Sequence, residues 1–502
     1  MKMLLYALVF VNGMTVMAVE LTASRLLAPY FGTTIFVWTN LIGAILLFLS
    51  VGYYLGGAIS VKRPEPSLLY GISLAAGLLV GALPYAAQPV MATLSRTGGT
   101  QASFIVTMAA TFLILAPSTV LMGCVLPFAV RLRCADAADS GRTAGSLYAF
   151  STVGSVLGVF LPVVLLVPAF GTRSTFLVFS ALLSAVSLAG LARPLPVLLL
   201  VLYVPAVLAA RAPLRTPQRG QELLAEEETA YNYVQVVREG ERVKMVINNG
   251  WLVYSQYFPG QTLTASYRDM FALAPAYSER FGDEGFPGSI LVLGVGGGVS
   301  SRLMRSFYPS ARITGVEIDP ELVRLGRTHM GLRGEIDRIV FADGRNFLRE
   351  CGEKYDVVVV DVYRQAYIPP HMITMEFFES AAGCMSPDAV LAMNIAWRSR
   401  NDTRLVEYAG NTLAAAFPSV FIASMKGKGN TIAFASRRGT DSERVARNLA
   451  AAAGGELRPV IEETFNFDFR YPGGAPLFTD DWAPVEVLTD RVVLELLWKT
   501  GL

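Results

Sequence analysis

The sequence predicts three successive units: an α-helical transmembrane domain of about seven helices, a small antiparallel β domain, and an α/β domain with a Rossmann-like parallel sheet. Three observations lead to this fold class. Residues 1–217 hold 12 of the 42 Lys/Arg and four of the 40 acids, which leaves 30 and 36 for residues 218–502. Apolar runs of bilayer-spanning length occur only in the first part. In the last part, apolar strands alternate with helices, which is typical of a parallel sheet covered on both faces.

Composition also indicates where the domain boundaries lie and which classes of function are not expected. We expect a membrane domain over residues 1–211, a β subdomain over 221–285 and the α/β domain over 286–502, with the linker RAPLRTPQRG after the first. The mildly acidic second part offers no basic surface, so nucleic acid is not an expected partner. Four scattered cysteines and two histidines lack the spacing of a disulfide framework or a metal site, so no metal is expected.

Seven apolar runs are long enough to cross a bilayer as helices of about 20 residues. The first begins MKMLLYALVFV and has no small-residue cleavage site, so we do not expect a cleaved signal peptide. Glycines in GSVLGVF (Gly154, Gly158) and GYYLGG (Gly52, Gly56, Gly57) predict close approach between helices. The predicted spans are residues 3–28, 34–60, 67–88, 103–130, 144–169, 174–192 and 195–210.

Two charged residues stand in the first span, in VELTASRLLAPYFG. Charged groups at membrane depth are costly and tend to mark sites. Glu20 and Arg25 are five positions apart, about 140° around a helix, so they do not share a face. Two interpretations stay open: a role in a substrate cavity, or structural ion pairs with other helices.

The hydrophobic period changes after the linker. YNYVQVVREGERVKMVINNG predicts two alternating strands joined at REGE, and WLVYSQY predicts another, so a small antiparallel unit is expected. From Ser289 onward the order is strand, helix, strand: ILVLGV, a helix from about Val299, RITGVEI, DPELVRLGRTHM, IVFADG, YDVVVVD, a helix near 374–384 and AVLAMNI. In such sheets, ligands bind beyond the carboxyl ends of the strands.

Four strand ends carry residues suited to a nucleoside. Gly294 and Gly296 to Gly298 permit a tight turn and close backbone approach to a ligand. Glu317, 21 residues after Gly296, can accept both ribose hydroxyls. Asp343 either accepts from the adenine amine or caps a helix, and Asp361 ends the strand YDVVVVD. No Lys-Ser/Thr pair follows the glycines, which excludes a P-loop, and an S-adenosyl nucleoside fits better than a dinucleotide.

These motifs, in this order, resemble those of spermidine synthases, the polyamine aminopropyltransferase family. GVGGGVS, GVEIDP, FADGRNF and YDVVVVDVYRQAYIPPHMITMEFF stand where that family has its glycine loop, V-E-I-D strand end, D-G/A pair and Y-D-x-I-x-x-D strand, over about residues 225–400. The first part is similar to the domain of membrane-fused spermidine synthase-like proteins. The pieces that carry this similarity are VELTASRLLAPYFGTTIFVWT, LGGAIS, LMGCVLPFAVRL, GSLYAFSTVGSVLGVF and the closing FTDDWAPVE.

The resemblance implies a Rossmann-like, methyltransferase-type domain that binds decarboxylated S-adenosylmethionine, or S-adenosylmethionine, as co-substrate. It also implies that Asp361 orients the reacting amine and accepts its proton, with Tyr363 assisting and Tyr267 on the substrate side. The implied donor contacts are Gly294, Gly296, Gly297, Gly298 and Glu317 for the nucleoside, Asp343 with Gly344 for the adenine, and Gln256.

The sequence departs from the family pattern at three places. Val299 replaces the acid of the glycine loop, the family's Y-H-E triplet is Tyr267-Arg268-Asp269, and the second acid after the Asp361 strand falls at about Gln365–Ala366, with Arg364 beside it. Two lost carboxylates and two gained arginines make a poorer pocket for a free diamine. This favours an anionic, zwitterionic or membrane-derived nucleophile, or methyl transfer.

Three functions are therefore weighed. The first is a membrane-anchored aminopropyltransferase acting on a small-molecule amine or a membrane-derived substrate. The second is an S-adenosylmethionine-dependent methyltransferase acting on a lipid or small metabolite. The third is a non-catalytic membrane transporter or sensor with an S-adenosyl or polyamine-binding domain. The resemblance is also consistent with a homodimer.

Two considerations conflict on the orientation in the membrane. The loops after spans two, four and six carry most of the Lys/Arg, so the positive-inside rule places the N-terminus in the cytosol and, after seven spans, the C-terminal part outside. A nucleoside made in the cytosol requires the reverse. Either the last run, 195–210, which has only about 16 residues, does not fully cross the bilayer, or the charge rule fails here. We expect an integral protein of the cell inner membrane, in contact with the lipid bilayer, with a cytoplasmic catalytic domain.

Overall fold

Long apolar helices make up the first part of the chain. In the computed structural model they are α1 Lys2–Phe31, α2 Ile35–Lys62, α3 Pro66–Thr97, α4 Ala102–Arg133, α5 Ser140–Phe160 and α6 Val167–Gly190, with a π-helical segment, Leu161–Leu166, between the last two. The structure describes residues 2–32, 35–97, 102–134, 140–191, 203, 213–248, 253–364, 367–397, 402–426, 430–465 and 470–489.

Five helical segments in the described residues are long and apolar enough to cross a membrane. The fifth, Ser140–Gly190, covers the two predicted spans 144–169 and 174–192. A backbone break divides it, because Gly171 has φ +78° and ψ 170°, a conformation open mainly to glycine. The predicted helical region is confirmed, with six predicted spans forming five segments. The seventh, 195–210, lies outside the described residues except for Tyr203.

Glycines set the closest contacts in the helical bundle. A Cβ atom built on Gly154 would lie 2.0 Å from the carbonyl oxygen of Phe10, and one on Gly158 would lie 2.1 Å from that of Met14. Helix α5 therefore contacts α1 through backbone, as the sequence predicts for GSVLGVF. Gly52 approaches Val120 on α4 in the same way, whereas Gly57 has nothing within 4 Å.

A small antiparallel sheet follows the bundle. Its strands pair in the order β1 Glu222–Glu228, β2 Tyr233–Glu239, β3 Arg242–Ile247 and β4 Val253–Tyr257. The predicted hairpin at REGE is confirmed, since β2 ends at Glu239 and β3 begins at Arg242. Alternate apolar residues of this sheet pack against the α/β domain, where Met245 meets Leu322 and Leu325 in one buried cluster.

The last part is a mostly parallel sheet of eight strands in the order β12-β10-β11-β9-β8-β5-β6-β7. Strands β9, β8, β5, β6 and β7 pair in parallel, and β11, β10 and β12 extend the sheet antiparallel. The strands are β5 Ser289–Leu293, β6 Arg312–Glu317, β7 Arg338–Phe341, β8 Tyr355–Val360, β9 Met385–Trp397, β10 Ser419–Met425, β11 Asn430–Ser436 and β12 Thr464–Phe465.

Helices cover both faces of this sheet, which is why its central strands are continuous apolar runs. The α-helices are α7 Val299–Phe307, α8 Pro320–His329, α9 Gly344–Arg349, α10 Met375–Gly383, α11 Arg404–Ala416, α12 Ser442–Ala452 and α13 Arg458–Glu462, and the 3₁₀ helices are Tyr267–Tyr277 and Pro370–Met372. The predicted alternation is confirmed, with the helix after the glycine turn beginning at Val299 as expected.

Polar contacts join the bundle to the small sheet. Arg25 on α1 donates from Nη1 to the carbonyl oxygen of Thr229 (3.1 Å) and from Nη2 to that of Ala230 (2.7 Å). Arg25 thus binds backbone carbonyls of the turn after β1, and no ion pair of Arg25 occurs among the described residues. Glu20 is half-buried on the same helix. Arg25 therefore lies at the end of the bundle that faces the second half of the chain.

Candidate active site

A cavity of about 210 Å³ opens at the carboxyl ends of β5 and β8, where parallel sheets bind their ligands. The glycine turn after β5 forms one wall, and strand β4 with the start of the Tyr267–Tyr277 helix forms another. The lining residues are Val253, Tyr254, Ser255, Gln256, Ser266, Tyr267, Arg268, Gly294, Val295, Gly296, Val299, Ser300, Asp361, Tyr363, Asn394 and Asn430.

The glycine turn needs glycine for two physical reasons. Gly294, Gly296 and Gly298 have φ of +88°, +52° and +84°, which side chains rarely adopt. A Cβ atom on Gly294 would also lie 2.4 Å from the carbonyl oxygen of Asp361. The turn therefore brings backbone directly against the end of β8, so the predicted glycine turn and the predicted acid line the same cavity.

Glu317 holds the turn from the end of β6. Its Oε2 accepts from the backbone N–H of Gly296 (2.8 Å), and its Oε1 accepts from that of Asp319 (3.0 Å). The carboxylate is buried, and burial raises the pKa of Glu317. Ser255 on β4 supports the next residue, since its Oγ accepts from the N–H of Gly297 (2.9 Å).

Asp361 is the centre of a buried hydrogen-bond network. Its Oδ1 accepts from the hydroxyl of Tyr267 (3.1 Å) and from Nδ2 of Asn394 (3.1 Å). Its Oδ2 accepts from Nε of Arg268 (3.1 Å), which makes a buried ion pair with the side chains 6% and 10% exposed. Three donors on two oxygens fix the plane of this carboxylate, so it cannot rotate freely in the cavity.

Arg268 places a buried positive charge beside Asp361. The guanidinium is stacked 4.6 Å from the centre of the Tyr267 ring and donates from Nη2 to the carbonyl oxygen of Tyr254 (2.7 Å). Burial alone would lower the pKa of Arg268, but the neighbouring Tyr267 phenol and the Asp361 carboxylate outweigh it and leave that pKa raised. Among the described residues that line the cavity, one anion and one cation are in contact, and their charges cancel.

The remaining aromatic and amide side chains border the Asp361 network. Tyr363 donates to the backbone oxygen of Asn394 (3.0 Å), and Gln256 donates to that of Thr264 (3.1 Å). Burial raises the pKa of both Tyr267 and Tyr363 well above the usual value, so both hydroxyls stay protonated at neutral pH. Gln256, Tyr267 and Tyr363 all line the cavity.

Sequence reasoning missed two amides, Asn394 and Asn430. Nδ2 of Asn430 donates to Oδ1 of Asn394 (3.2 Å), which orients the Asn394 amide towards Asp361. A signal was present, because Asn394 is a polar residue inside the apolar strand AVLAMNI, and a buried polar side chain needs a partner.

Asp343 and Gly344 lie away from the residues that line this cavity. Oδ1 of Asp343 accepts from the N–H groups of Arg345 (2.9 Å) and Asn346 (3.2 Å), so it caps α9. Oδ2 faces Nε2 of His371 (3.0 Å), and that contact is the largest cause of the lowered pKa of Asp343. Oδ1 of Asp343 is therefore the helix cap. The other oxygen, Oδ2, faces the partly exposed imidazole of His371.

The departures from the family pattern have distinct structural outcomes. Val299 lines the cavity at the start of α7, so a hydrophobic side chain occupies the place of the expected loop acid. Asp269 faces away from the cavity and accepts from Thr264 and Ser266 as part of a capping box. Gln365 and Ala366 lie outside the described residues. No cluster of three His, Cys, Asp or Glu side chains suited to a metal occurs in the described part of the chain.

A parallel sheet with a glycine turn after one strand and an acid after the next defines a nucleoside-binding α/β fold of the Rossmann type. Within that class, residues 266–425 match the family model described as "Spermine/spermidine synthase domain". Residues 266–425 are therefore similar to a spermidine synthase domain, the family that the sequence motifs resemble.

Curated relatives are similar over this same half. A "Probable polyamine aminopropyl transferase" of Bifidobacterium longum is 29% identical over 292 residues, which are 55% of this chain and 64% of the relative, so the match spans less than two thirds of that protein. An "eEF1A lysine and N-terminal methyltransferase" of Mus musculus is 26% identical over 217 residues, 41% of this chain and 28% of the relative. Among solved structures, a probable spermidine synthase from Corynebacterium glutamicum has 22% identity and a TM-score of 0.39, covering 52% of this chain and 99% of that one.

Proposed function

We propose that this chain is a membrane-anchored aminopropyltransferase of the spermidine synthase type. It would transfer the aminopropyl group of decarboxylated S-adenosylmethionine to an amine acceptor. The observation that carries the proposal is the position of Asp361, held by three donors in the cavity that the glycine turn also lines, within the matched synthase domain.

The donor nucleoside is assigned to the strand ends around the glycine turn. Gly294 and Gly296 to Gly298 would let the backbone approach the nucleoside, and Glu317 would accept from the ribose hydroxyls. Asp343 and Gly344 are proposed for the adenine. Because Oδ1 of Asp343 caps α9 and Oδ2 faces Nε2 of His371 (3.0 Å), Oδ2 would accept from the adenine amine beside the imidazole or in its place. Gln256 would contact the aminopropyl part of the donor from β4.

The transfer requires the protein mainly to align the donor with the amine and to accept one proton. The amine nitrogen would form a bond to the aminopropyl carbon as the bond from that carbon to the sulfonium sulfur breaks, which releases a neutral thioether nucleoside. An amine has a pKa near that of lysine, about 10.4, so it must lose a proton to react. Asp361 would orient the ammonium group and accept that proton. Tyr267 and Tyr363 would keep the Asp361 carboxylate and the amine in line.

The charge balance of the cavity restricts the acceptor. Because Arg268 neutralises Asp361, the lining residues offer no net negative charge to a free diamine, which carries two positive charges. We therefore expect a monoamine, or an acceptor that also carries an anionic group, including one derived from a membrane lipid. Asn394 and Asn430 would recognise the uncharged part of such an acceptor.

Methyl transfer from S-adenosylmethionine is the second candidate. It is favoured by Val299, since the acid that would hold the amine of an aminopropyl group is replaced by an apolar side chain in the cavity wall. One of the similar relatives is also named a methyltransferase.

Product identification separates the candidates. Purified protein in lipid nanodiscs is incubated with decarboxylated S-adenosylmethionine or with S-adenosylmethionine, together with monoamines, amino acids, diamines and lipid amines. Mass spectrometry is expected to find an aminopropylated acceptor and methylthioadenosine only with the decarboxylated donor. A methylated product and S-adenosylhomocysteine would replace the first candidate by the second. Binding of both donors without consumption of either would refute both.

The apolar helices are proposed as the membrane anchor, with the synthase half in the cytosol where S-adenosyl nucleosides are made. The charge rule favours the opposite orientation, because Lys62, Arg131 and Arg133 lie at the end of the bundle remote from Arg25.

Cysteine labelling decides between the two orientations. In a background lacking Cys134 and Cys351, an E284C variant is expected to react with an impermeant maleimide only after cell lysis, and E65C in intact cells. The reverse pattern would contradict the cytosolic assignment.

A further inference from the structure

The turn between β1 and β2, residues 229–232, contacts both halves of the chain. On the bundle side, Arg25 of α1 holds two of its carbonyl oxygens, those of Thr229 and Ala230. The preceding residue, Glu228, accepts from the backbone N–H of Thr172 (2.8 Å) and from the Thr172 hydroxyl at the break in α6. Two membrane helices therefore fix the position of this turn.

The same turn contacts the α/β domain through the hydroxyl of Thr229 and the amide of Asn232. Oγ1 of Thr229 donates to Oδ2 of Asp319 (2.6 Å), and Nδ2 of Asn232 donates to the same oxygen (3.2 Å). Oδ1 of Asp319 accepts from the N–H of Glu321 (3.2 Å), which caps α8. Thr229 and Asp319 are 6% and 1% exposed, so water does not substitute readily for the lost partner if either group is removed.

Asp319 continues the connection to the glycine turn. Its backbone N–H donates to Oε1 of Glu317 (3.0 Å), and Oε2 of Glu317 accepts from the N–H of Gly296 (2.8 Å). A chain of hydrogen bonds thus runs from Arg25 on a membrane helix through Thr229 and Asp319 to the carboxylate that the proposed function assigns to the donor ribose.

We propose that the membrane domain positions the donor site through the 229–232 turn, with Arg25 and Thr229 as positioning residues for Glu317. The inference rests on the proposed function only in taking an S-adenosyl nucleoside as the ligand of Glu317. The physical reason is that a carboxylate held at both oxygens keeps one orientation. Each rigid link between Arg25 and Glu317 therefore reduces the conformational ordering that Glu317 must undergo when the nucleoside binds. The membrane domain then contributes to donor affinity as well as to anchoring.

The test compares two substitutions of one side chain. T229V removes the hydroxyl at nearly constant shape, and T229S retains it. The loss of a hydrogen bond to a buried carboxylate predicts that T229V weakens decarboxylated S-adenosylmethionine and methylthioadenosine binding about tenfold by calorimetry, and T229S less than about twofold. Turnover at saturating donor is expected to stay within about twofold of wild type, because the hydroxyl does not contact the reacting atoms. T328V is the matched control, since the Thr328 hydroxyl is exposed and bonds only within α8.

The membrane part of the connection is tested by R25Q, which shortens the donor that reaches the turn. R25Q is expected to weaken nucleoside binding in the same direction as T229V. The R25Q/T229V double variant is expected to be little weaker than T229V alone, because the two links act in series. Nucleoside affinity unchanged in R25Q, or equal losses in T229V and T229S, would overturn the proposal. Wild-type protein that binds neither nucleoside would refute the proposed function and the inference with it.

Discussion

Replacement of Asp361 by asparagine is expected to lower turnover by about 10²- to 10⁴-fold, the usual contribution of general acid–base catalysis. The D361N amide has nearly the shape of the carboxylate but cannot accept the proton of the incoming amine. Nucleoside binding is expected to remain, because the proposed ribose contacts lie on Glu317 and the glycine turn. The measurement is single-turnover product formation together with calorimetric binding of methylthioadenosine.

The ion pair with Arg268 requires a control for stability. D361N leaves a buried guanidinium without its counter-charge, which costs about 3–5 kcal/mol of folding free energy in comparable cases. The double variant R268Q/D361N removes both charges and is expected to recover most of the thermal stability of the wild type while staying inactive. Recovery of turnover in the double variant, or full turnover in D361N, would remove Asp361 from the proposed mechanism.

Substitution of Gly154 by leucine is expected to have the largest effect on the helical bundle in the first part of the chain. Its Cβ atom alone would lie 2.0 Å from a backbone oxygen of α1, and backbone cannot yield as the end of a flexible side chain can. Helices α1 and α5 must separate, at a cost of about 3 kcal/mol or more. Detergent-solubilised G154L is expected to unfold at a much lower temperature than the wild type, or to elute as aggregate in size-exclusion chromatography.

The matched control is Gly57 on α2, which has no heavy atom within 4 Å of a built Cβ atom. G57L is expected to unfold within a few degrees of the wild type, since its side chain meets no neighbouring group and leucine favours the helix over glycine. Equal losses in G154L and G57L would show that helix propensity or hydrophobicity, and not the contact between α1 and α5, controls stability.

Residues that follow a strand were the most predictable part of the site. Gly294, Glu317 and Asp361 each end a short apolar run, and parallel strands bring their carboxyl ends to one edge of a sheet. Local pattern and a general topological rule were therefore enough to group them. The same local reasoning predicted the contact at Gly154 and Gly158, because small residues at that spacing in an apolar helix permit close approach.

Local sequence patterns do not predict which residues bind Asp361 and Arg25. Arg268 stands 93 positions from Asp361, and Arg25 stands 204 positions from Thr229. In the sequence, Arg25 is a costly charge in an apolar segment and Arg268 is a departure from the family's Y-H-E triplet. Neither observation identifies the partner, because a charge can be neutralised by any group that the fold brings within reach. Asn394 was overlooked for the same reason, since its importance depends on the strand that packs beside it.

The sequence by itself determined the order of the helical, β and α/β units, the glycine turn and the acids at the strand ends, because these follow from hydrophobic period and backbone sterics within short segments. Only the tertiary structure decided that Asp361 is paired with Arg268, that Asp343 caps α9, and that helix α1 is linked to the glycine turn through Thr229. Pairing energies depend on distance and burial, and those quantities exist only once remote segments have packed together.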